Sequence, residues 1–200
     1  MAADAASLPR PLRAAAFIDR DGVINAELGY VWRTEDFHLL PGAVDGLRRL
    51  AGCGYALVVV TNQAGIAKGL YDEAAYRHLT AYMRGLLAAQ GVVLDGVYHC
   101  PHHPQGTVAA YARECDCRKP APGLLRQAAR ELGLDLARSV LVGDKTSDTQ
   151  AGRAAGLRRT VLVESGHALP ADALAQADHR CADLAAAARW LCAGRGENGA

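Results

Sequence analysis

The sequence is poor in large aromatic side chains and has no long apolar run. Only two Phe and two Trp occur in 200 residues, although 50% of the residues are hydrophobic, so we expect an aliphatic core. The longest strongly apolar run, residues 55–60, is too short to span a bilayer. Residues 1–13 contain no continuous apolar signal segment, and we therefore expect a cytoplasmic protein.

The chain also lacks an excess of charge of either sign. Its formal net charge of +1 gives no electrostatic reason to expect binding to nucleic acid or to an anionic membrane, and we predict neither. No heptad or exposed apolar stripe calls for a protein partner, so a monomer is expected. The length fits one domain, predicted at residues 14–193 between a flexible N-terminus at 1–13 and a flexible tail at 194–200.

Short apolar runs alternate with segments of helical period along most of the chain. The runs predict strands at residues 14–18, 56–60, 97–99, 140–142 and 160–163. The periodic segments predict helices at residues 43–53, 72–90, 120–131, 149–155 and 183–193. This alternation is typical of an α/β fold around a parallel sheet, in which ligands bind beyond the carboxyl ends of the strands.

Two carboxylates stand where the first predicted strand ends. The apolar stretch 14–18 stops at Asp19, Arg20, Asp21 and Gly22, and the glycine allows the chain to turn sharply. Two carboxylates at the mouth of a sheet indicate Mg²⁺ and phosphate chemistry. By itself, the same pattern also fits a solvated turn rich in Asp and Gly.

Other polar residues follow the later strands. Thr61 offers a hydroxyl to a phosphate oxygen, Asp144 a third carboxylate for a hard cation, and Lys119 a point charge at a helix start. Taken singly, they also fit a loop hydroxyl, a helix cap and a solvated charge. Because the carboxyl ends of parallel strands meet at one edge of the sheet, the combination predicts a phosphate site there.

Six cysteines are present, and a disulfide framework is not expected in a reducing compartment. Cys53, Cys181 and Cys192 are scattered through segments that are apolar or helical in pattern. We interpret these three as ordinary buried thiols.

The remaining three cysteines are close together in the sequence. Cys100, Cys115 and Cys117 combine with His102 to give three sulfurs and one imidazole, a complete tetrahedral zinc set. His103 is the alternative nitrogen donor. A set with no vacant position predicts a structural zinc that clamps a long loop.

Longer stretches around these residues resemble a known family. The stretches are FIDRDGVIN, VVVTNQAGIAKG, CPHHPQG, CDCRKPAPG and VGDKTSDTQAG. They resemble the D-glycero-D-manno-heptose 1,7-bisphosphate 7-phosphatases, which are relatives of the histidinol phosphatases in the haloacid dehalogenase superfamily. The resemblance covers residues 17–163. It implies a Rossmann-like three-layer fold with a central parallel sheet, no large cap domain, and a zinc-bound loop at residues 100–117.

The resemblance also implies an activity. The small-molecule substrate would be the sugar bisphosphate, whose C7 phosphate is hydrolysed in a Mg²⁺-dependent reaction to give heptose 1-phosphate for nucleotide-activated heptose, used in lipopolysaccharide core or surface glycans. Asp19 would form an aspartyl phosphate, and Asp21 would act as general acid and then as general base. The alternatives are a histidinol-phosphate phosphatase and a zinc-stabilised binding module without catalysis.

The resemblance also implies roles for other residues of this chain. Mg²⁺ would be held by Asp19, Asp144 and the backbone carbonyl of Asp21, while Asp148 would orient this shell. Zinc would be held by Cys100, His102, Cys115 and Cys117. Phosphate or substrate contacts are implied for Glu27, Leu28, Gly29, Tyr30, Thr61, Asn62, Gln63, Ala64, Arg118, Lys119 and Lys145. Ala64 is a departure, since the family usually has Ser there. Arg118 would suit the anomeric phosphate because a guanidinium binds phosphate bidentately.

Overall fold

A computed structural model describes residues 12–167 and 176–196 of the chain. Its strands form one parallel six-stranded sheet in the order β3-β2-β1-β4-β5-β6. The strands are β1 (Ala15–Ile18), β2 (Ala56–Asn62), β3 (Gly96–Cys100), β4 (Val140–Gly143), β5 (Arg159–Val163) and β6 (His179–Cys181). The predicted α/β fold with a central parallel sheet is confirmed.

Helices connect the first five strands, and a further helix follows the last strand. They are α1 (Ala43–Gly52), α2 (Ala64–Ala67), α3 (Glu73–Ala89), α4 (Gly123–Leu132), α5 (Thr146–Ala155) and α6 (Leu184–Gly196), with a 3₁₀ helix at Leu136–Arg138. Asp72 caps α3, because its side chain accepts a hydrogen bond from the Ala75 amide at 2.8 Å. Among the described segments, no helix is both long and apolar enough to cross a membrane.

The sheet lies between two layers of helices, and each layer builds its own core. Side chains alternate along each strand, so Ala16 and Ile18 face α1, α3 and α6, whereas Ala15 and Phe17 face α4 and α5. Because both faces are covered, the central strands are continuous apolar runs. This explains why strands were detectable in the sequence as uninterrupted stretches of Val, Ile, Leu and Ala.

Each predicted strand and helix is present within a few residues of its expected ends. Three short elements escaped prediction: β6, α2 and the 3₁₀ helix. They are too short to display a period, and two of the three residues of β6 are exposed. Helix α6 continues to Gly196, into the segment predicted as a flexible tail, while residues 1–11 and 197–200 lie outside the described residues.

Two of the three scattered cysteines are not free thiols, which corrects the sequence interpretation. Cys53 follows α1 and forms a disulfide with Cys192 in α6, across a sequence separation of 139 residues. The pairing arises because α1 and α6 pack side by side on one face of the sheet, a proximity that no spacing in the sequence reveals. Cys181 is a buried free thiol, as predicted.

Candidate active site

The carboxyl ends of β1, β2 and β4 meet at one edge of the sheet and border a cavity of about 610 Å³. Asp19 and Asp21 follow β1 and line this cavity. All of the predicted phosphate and substrate residues line it as well, except Leu28, whose side chain is 60% exposed outside the lining. The structure therefore brings together residues that are more than 100 positions apart in the sequence.

Lys119 is a buried cation between two of the carboxylates. Its Nζ lies 3.0 Å from Asp19 Oδ1 and 2.5 Å from Asp148 Oδ1, and it donates to the Val60 carbonyl at 2.8 Å. Burial acts to lower the pKa of Lys119, but the charges of Asp148 and Asp19 outweigh it and raise this pKa above its ordinary value. The two carboxylates therefore favour the charged form of the ammonium.

Three buried carboxylates crowd the same point. Oxygen atoms of Asp19, Asp144 and Asp148 lie within 4.8 Å of one another. The pKa of Asp19 is raised to about 7, chiefly by burial; the charge of Lys119 opposes this rise, and the charges of Asp148 and Asp144 add to it. Asp144 Oδ1 is buried without a hydrogen-bond partner among the residues described. A partnerless buried oxygen beside other carboxylates is the donor set that fits a hard divalent cation.

Asp21 is held separately from Asp19. The buried Arg20 guanidinium contacts both Asp21 oxygens, with its Nη2 at 2.8 Å from Oδ2, and also donates to the Val31 carbonyl. The Asn25 amide donates to Asp21 Oδ1 at 2.9 Å. The two carboxylates of the motif thus have different cations, Lys119 for Asp19 and Arg20 for Asp21, which allows them different roles.

The end of β2 is tied to the segment that carries Lys119. The Asn62 side chain donates to the Lys119 carbonyl at 3.0 Å and accepts from the Lys119 amide at 3.1 Å. This paired contact fixes the backbone at Lys119 relative to Thr61, the neighbouring strand residue. Asn62 therefore has a structural role here, whereas its predicted contact with substrate stays a prediction.

Lys145 and Asp148 open α5 beside the site. The Asp148 side chain accepts a hydrogen bond from the Lys145 amide at 3.0 Å, which caps the helix. The Lys145 ammonium lies 3.4 Å from Glu27 Oε2, so it faces a residue of the loop after β1 rather than pairing directly with Asp19. Asp148 stands between Lys119 and the helix cap, a position suited to orienting its neighbours.

The predicted zinc ligands converge at the end of β3. The three Sγ atoms of Cys100, Cys115 and Cys117 lie 3.2 to 3.5 Å from one another. His102 Nδ1 lies 3.3 Å from Cys117 Sγ and 3.7 Å from Cys100 Sγ. The ring of His103 instead accepts a hydrogen bond from the backbone amide two residues later, at 3.1 Å. Of the two histidines, His102 is the one that joins the sulfur cluster.

Comparison with known proteins identifies the family. The family model described as HAD-hyrolase-like matches residues 116–187. The D-glycero-beta-D-manno-heptose-1,7-bisphosphate 7-phosphatase of Yersinia pestis is 48% identical over 164 residues, which are 82% of this chain and 87% of that protein. The chain belongs to the heptose-1,7-bisphosphate 7-phosphatase family of haloacid-dehalogenase-like hydrolases.

Two further members extend this comparison. The D-glycero-alpha-D-manno-heptose-1,7-bisphosphate 7-phosphatase of Photorhabdus laumondii is 45% identical over 152 residues, covering 76% of this chain and 83% of that protein. The crystal structure of D,D-heptose 1,7-bisphosphate phosphatase from B. bronchiseptica, complexed with magnesium and phosphate, superposes with a TM-score of 0.77 at 35% identity. The superposed region covers 90% of this chain and 99% of the B. bronchiseptica chain. The family therefore contains members named for either anomer.

The structure adds a loop to the site that the sequence analysis missed. After β5, the Ser165 hydroxyl donates to the Gly22 carbonyl at 2.8 Å, and His167 Nδ1 lies 2.5 Å from Asp144 Oδ2. A Cβ atom at Gly22 would meet Asp144 Oδ2 at 2.3 Å, so only glycine allows this approach. The polar residues directly after the fifth predicted strand could have indicated this loop, because site residues follow the carboxyl ends of parallel strands, as Asp19 and Asp144 do.

Proposed function

We propose that this chain is a Mg²⁺-dependent phosphatase that removes the C7 phosphate of D-glycero-D-manno-heptose 1,7-bisphosphate and releases heptose 1-phosphate. The observation that carries the proposal is the buried Asp19 paired with Lys119 and flanked by Asp144, at the end of the central strand and beside Asp21. The named activities of the Yersinia and Photorhabdus relatives support the substrate. The product would enter the synthesis of nucleotide-activated heptose for lipopolysaccharide or another surface glycan.

The two carboxylates divide the reaction between them. A carboxylate oxygen of Asp19 forms a bond to phosphorus as the bond from phosphorus to the sugar oxygen breaks, and Asp21 gives that oxygen a proton. Asp21 then takes a proton from the water that hydrolyses the aspartyl phosphate, which frees Asp19. The Lys119 ammonium and the Thr61 hydroxyl stabilise the charge on the phosphoryl oxygens.

The carboxylate cluster fits magnesium. Asp19, Asp144 and the backbone carbonyl of Asp21 would hold the ion, and Asp148 would orient them from its contact with Lys119. The ion supplies positive charge that lets an anionic phosphoryl group approach buried carboxylates. Support comes from the partnerless Asp144 oxygen and from the magnesium and phosphate in the B. bronchiseptica structure.

The sulfur cluster fits a structural zinc ion, held by Cys100, His102, Cys115 and Cys117. Burial raises the pKa of Cys117 to about 11, so without a cation this thiol stays protonated and contributes no charge. Zinc would replace the thiol protons and close the loop at four points. Because Arg118 follows Cys117 directly and donates to the His102 carbonyl at 3.3 Å, the clamp would also position this guanidinium at the cavity.

Replacing Cys115 by Ser is expected to release the zinc and lower the melting temperature by about 10 °C, since losing a metal clamp costs roughly 3 kcal/mol or more. The kcat/KM for the bisphosphate should fall as well, because the loop carries Arg118. Zinc content, thermal unfolding and steady-state kinetics measure these effects. Cys181→Ser is the matched control: it alters a buried cysteine outside the cluster, so zinc content should not change. Unchanged stability and kinetics after zinc loss would contradict the clamp.

The substrate proposal predicts a strong preference between two phosphate esters. We expect kcat/KM for heptose 1,7-bisphosphate to exceed that for histidinol phosphate by about 100-fold, because a charged contact from Arg118 to the anomeric phosphate is worth roughly 1.5–3 kcal/mol. Heptose 7-phosphate, which lacks the anomeric phosphate, is the control, and its kcat/KM should lack most of the 100-fold preference over histidinol phosphate. Assays on the α and β anomers determine which bisphosphate is preferred. Faster turnover of histidinol phosphate would show that the chain is instead a histidinol-phosphate phosphatase.

A cytoplasmic location and a monomeric state are further proposals. The monomer rests on the sequence, in which no partner-binding stripe is evident, and the location is carried over from the expectation drawn from the sequence. Light scattering on the purified chain tests the monomer, and cell fractionation tests the location. The Cys53–Cys192 disulfide makes the second test informative, since such bonds are rare in the cytosol.

A further inference from the structure

One buried amide touches two groups of the reaction at once. The Gln63 side chain is 2% exposed, and its Nε2 donates to Asp21 Oδ2 at 3.1 Å and to Thr61 Oγ1 at 2.9 Å. Its Oε1 accepts a hydrogen bond from the Tyr71 hydroxyl at 2.5 Å. Both amide protons and the carbonyl oxygen are therefore engaged inside the protein, although the family resemblance assigns Gln63 to substrate contact.

The contact with Thr61 determines where the threonine proton points. A hydroxyl has one proton to donate and two lone pairs to accept with. Because Gln63 donates to Thr61 Oγ1, it occupies a lone pair and leaves the proton free for a phosphoryl oxygen. If the amide were turned by 180°, its oxygen would face Thr61 and would accept that proton itself.

The contact with Asp21 favours the same amide orientation. A turned amide would place its carbonyl oxygen against the Asp21 carboxylate, where two acceptors repel each other. The observed orientation gives Asp21 Oδ2 a second donor beside the buried Arg20 guanidinium. The carboxylate is thus held by two side chains, and its position is linked through Gln63 to that of Thr61.

Tyr71 holds the carbonyl oxygen of the Gln63 amide. Its hydroxyl is positioned by a ring that is largely buried and stacks on Trp32 with centroids 6.2 Å apart. Burial raises the pKa of Tyr71 above its ordinary value, so the phenol keeps the proton that it donates to Gln63. The chain of contacts runs from Tyr71 through Gln63 to both Asp21 and Thr61.

We propose that Gln63 is a positioning residue that fixes the acid/base carboxylate of Asp21 relative to the phosphate-binding hydroxyl of Thr61. Tyr71 holds the Gln63 amide in the orientation that this requires. The inference rests on the proposed phosphatase function. It differs from a substrate contact in its kinetic signature, because misplaced reacting groups slow the chemical step while leaving binding of the sugar largely intact.

Three variants test the proposal on the full-length enzyme loaded with magnesium. Tyr71→Phe should lower kcat about tenfold and Gln63→Met about 100-fold, each with KM changed by less than about twofold. In the double variant, Tyr71→Phe should cause no further loss, since its partner is already absent. Tyr76→Phe is the matched control: Tyr76 lies in the same aromatic cluster and is 3% exposed, and none of the hydrogen bonds described links it to Gln63. Its kcat should match the wild type.

The outcomes separate positioning from the other roles. If Tyr71→Phe has the same kcat as Tyr76→Phe, Tyr71 does not hold the Gln63 amide in place. If Tyr71→Phe lowers kcat by the same factor in the wild-type and Gln63→Met backgrounds, Tyr71 does not act through Gln63. A rise in KM at constant kcat for Gln63→Met overturns positioning and returns Gln63 to substrate binding. The same comparison with p-nitrophenyl phosphate keeps the test independent of the sugar, because Thr61 binds the phosphoryl group and Asp21 activates the water that hydrolyses the aspartyl phosphate, whichever ester supplied the phosphate. Turnover of this ester without turnover of heptose bisphosphate would reject only the proposed substrate.

Discussion

Asp19→Asn should lower kcat by about four orders of magnitude or more, because the variant lacks the oxygen nucleophile that forms the aspartyl phosphate. The fold should tolerate the change, since the amide has nearly the same shape and the buried carboxylate is crowded by Asp144 and Asp148. Steady-state turnover measures the loss, and intact-protein mass after a rapid acid quench should show phosphorylated wild type and unmodified variant.

The same chemical change at an exposed position provides the control. Asp45 lies in α1 with 77% of its side chain exposed, and its ion pair within the described part of the chain is with Arg48, one turn along the helix. Asp45→Asn should therefore retain wild-type kcat and a melting temperature within about 2 °C, as expected for a surface ion pair. Full turnover by Asp19→Asn would refute the covalent mechanism, whereas a wild-type protein without turnover would favour the binding-module alternative.

Lys119→Met should weaken both folding and catalysis. The substitution leaves Asp19 and Asp148 buried without their shared cation, and removing one partner of a buried ion pair costs about 3–5 kcal/mol. Loss of a donor to the phosphoryl group should lower kcat by a further factor of about 10²–10³. Urea unfolding in the presence of a chelator measures the first effect, because bound magnesium would partly replace the missing charge.

Lys145→Met is the matched control for stability. Lys145 also borders the cavity, but its side chain is 43% exposed and its contact with Glu27 is longer, at 3.4 Å. A long, partly exposed pair of this kind is worth about 0–1 kcal/mol, so the unfolding midpoint should hardly move. Equal stability losses in the two variants would show that Lys119 does not have the special burial role assigned to it.

The positions of Asp19, Thr61 and Asp144 were predictable because each follows an apolar strand. In a parallel sheet with both faces covered, strands are continuous apolar runs and their carboxyl ends share one edge, so the sequence marks the site directly. The cluster proposed to hold zinc was predictable from composition and spacing. Three sulfurs and one imidazole at such close spacing are typical of a metal site, and Cys100 and Cys117 do meet in space.

Other features depend on tertiary contacts that leave no local trace. His167 reaches Asp144 from a different strand end, and Tyr71 reaches Gln63 across the turn after α2. The Cys53–Cys192 pair depends on how two helices lie on the sheet. The role of Arg20 was equally hidden, because a basic residue between two acids is expected at a solvated turn, yet this one is 1% exposed.

The central position of β1 makes the site a property of the complete chain. On one side β1 pairs with β2, which brings Thr61, and on the other with β4, which brings Asp144. During synthesis, a chain that has emerged only as far as Leu132 holds Asp19, Thr61 and Lys119 but has no β4 to complete the sheet or the carboxylate cluster. On the proposed mechanism we therefore expect hydrolysis to begin only after Asp148 has left the ribosome, so that activity would report the late closure of the sheet.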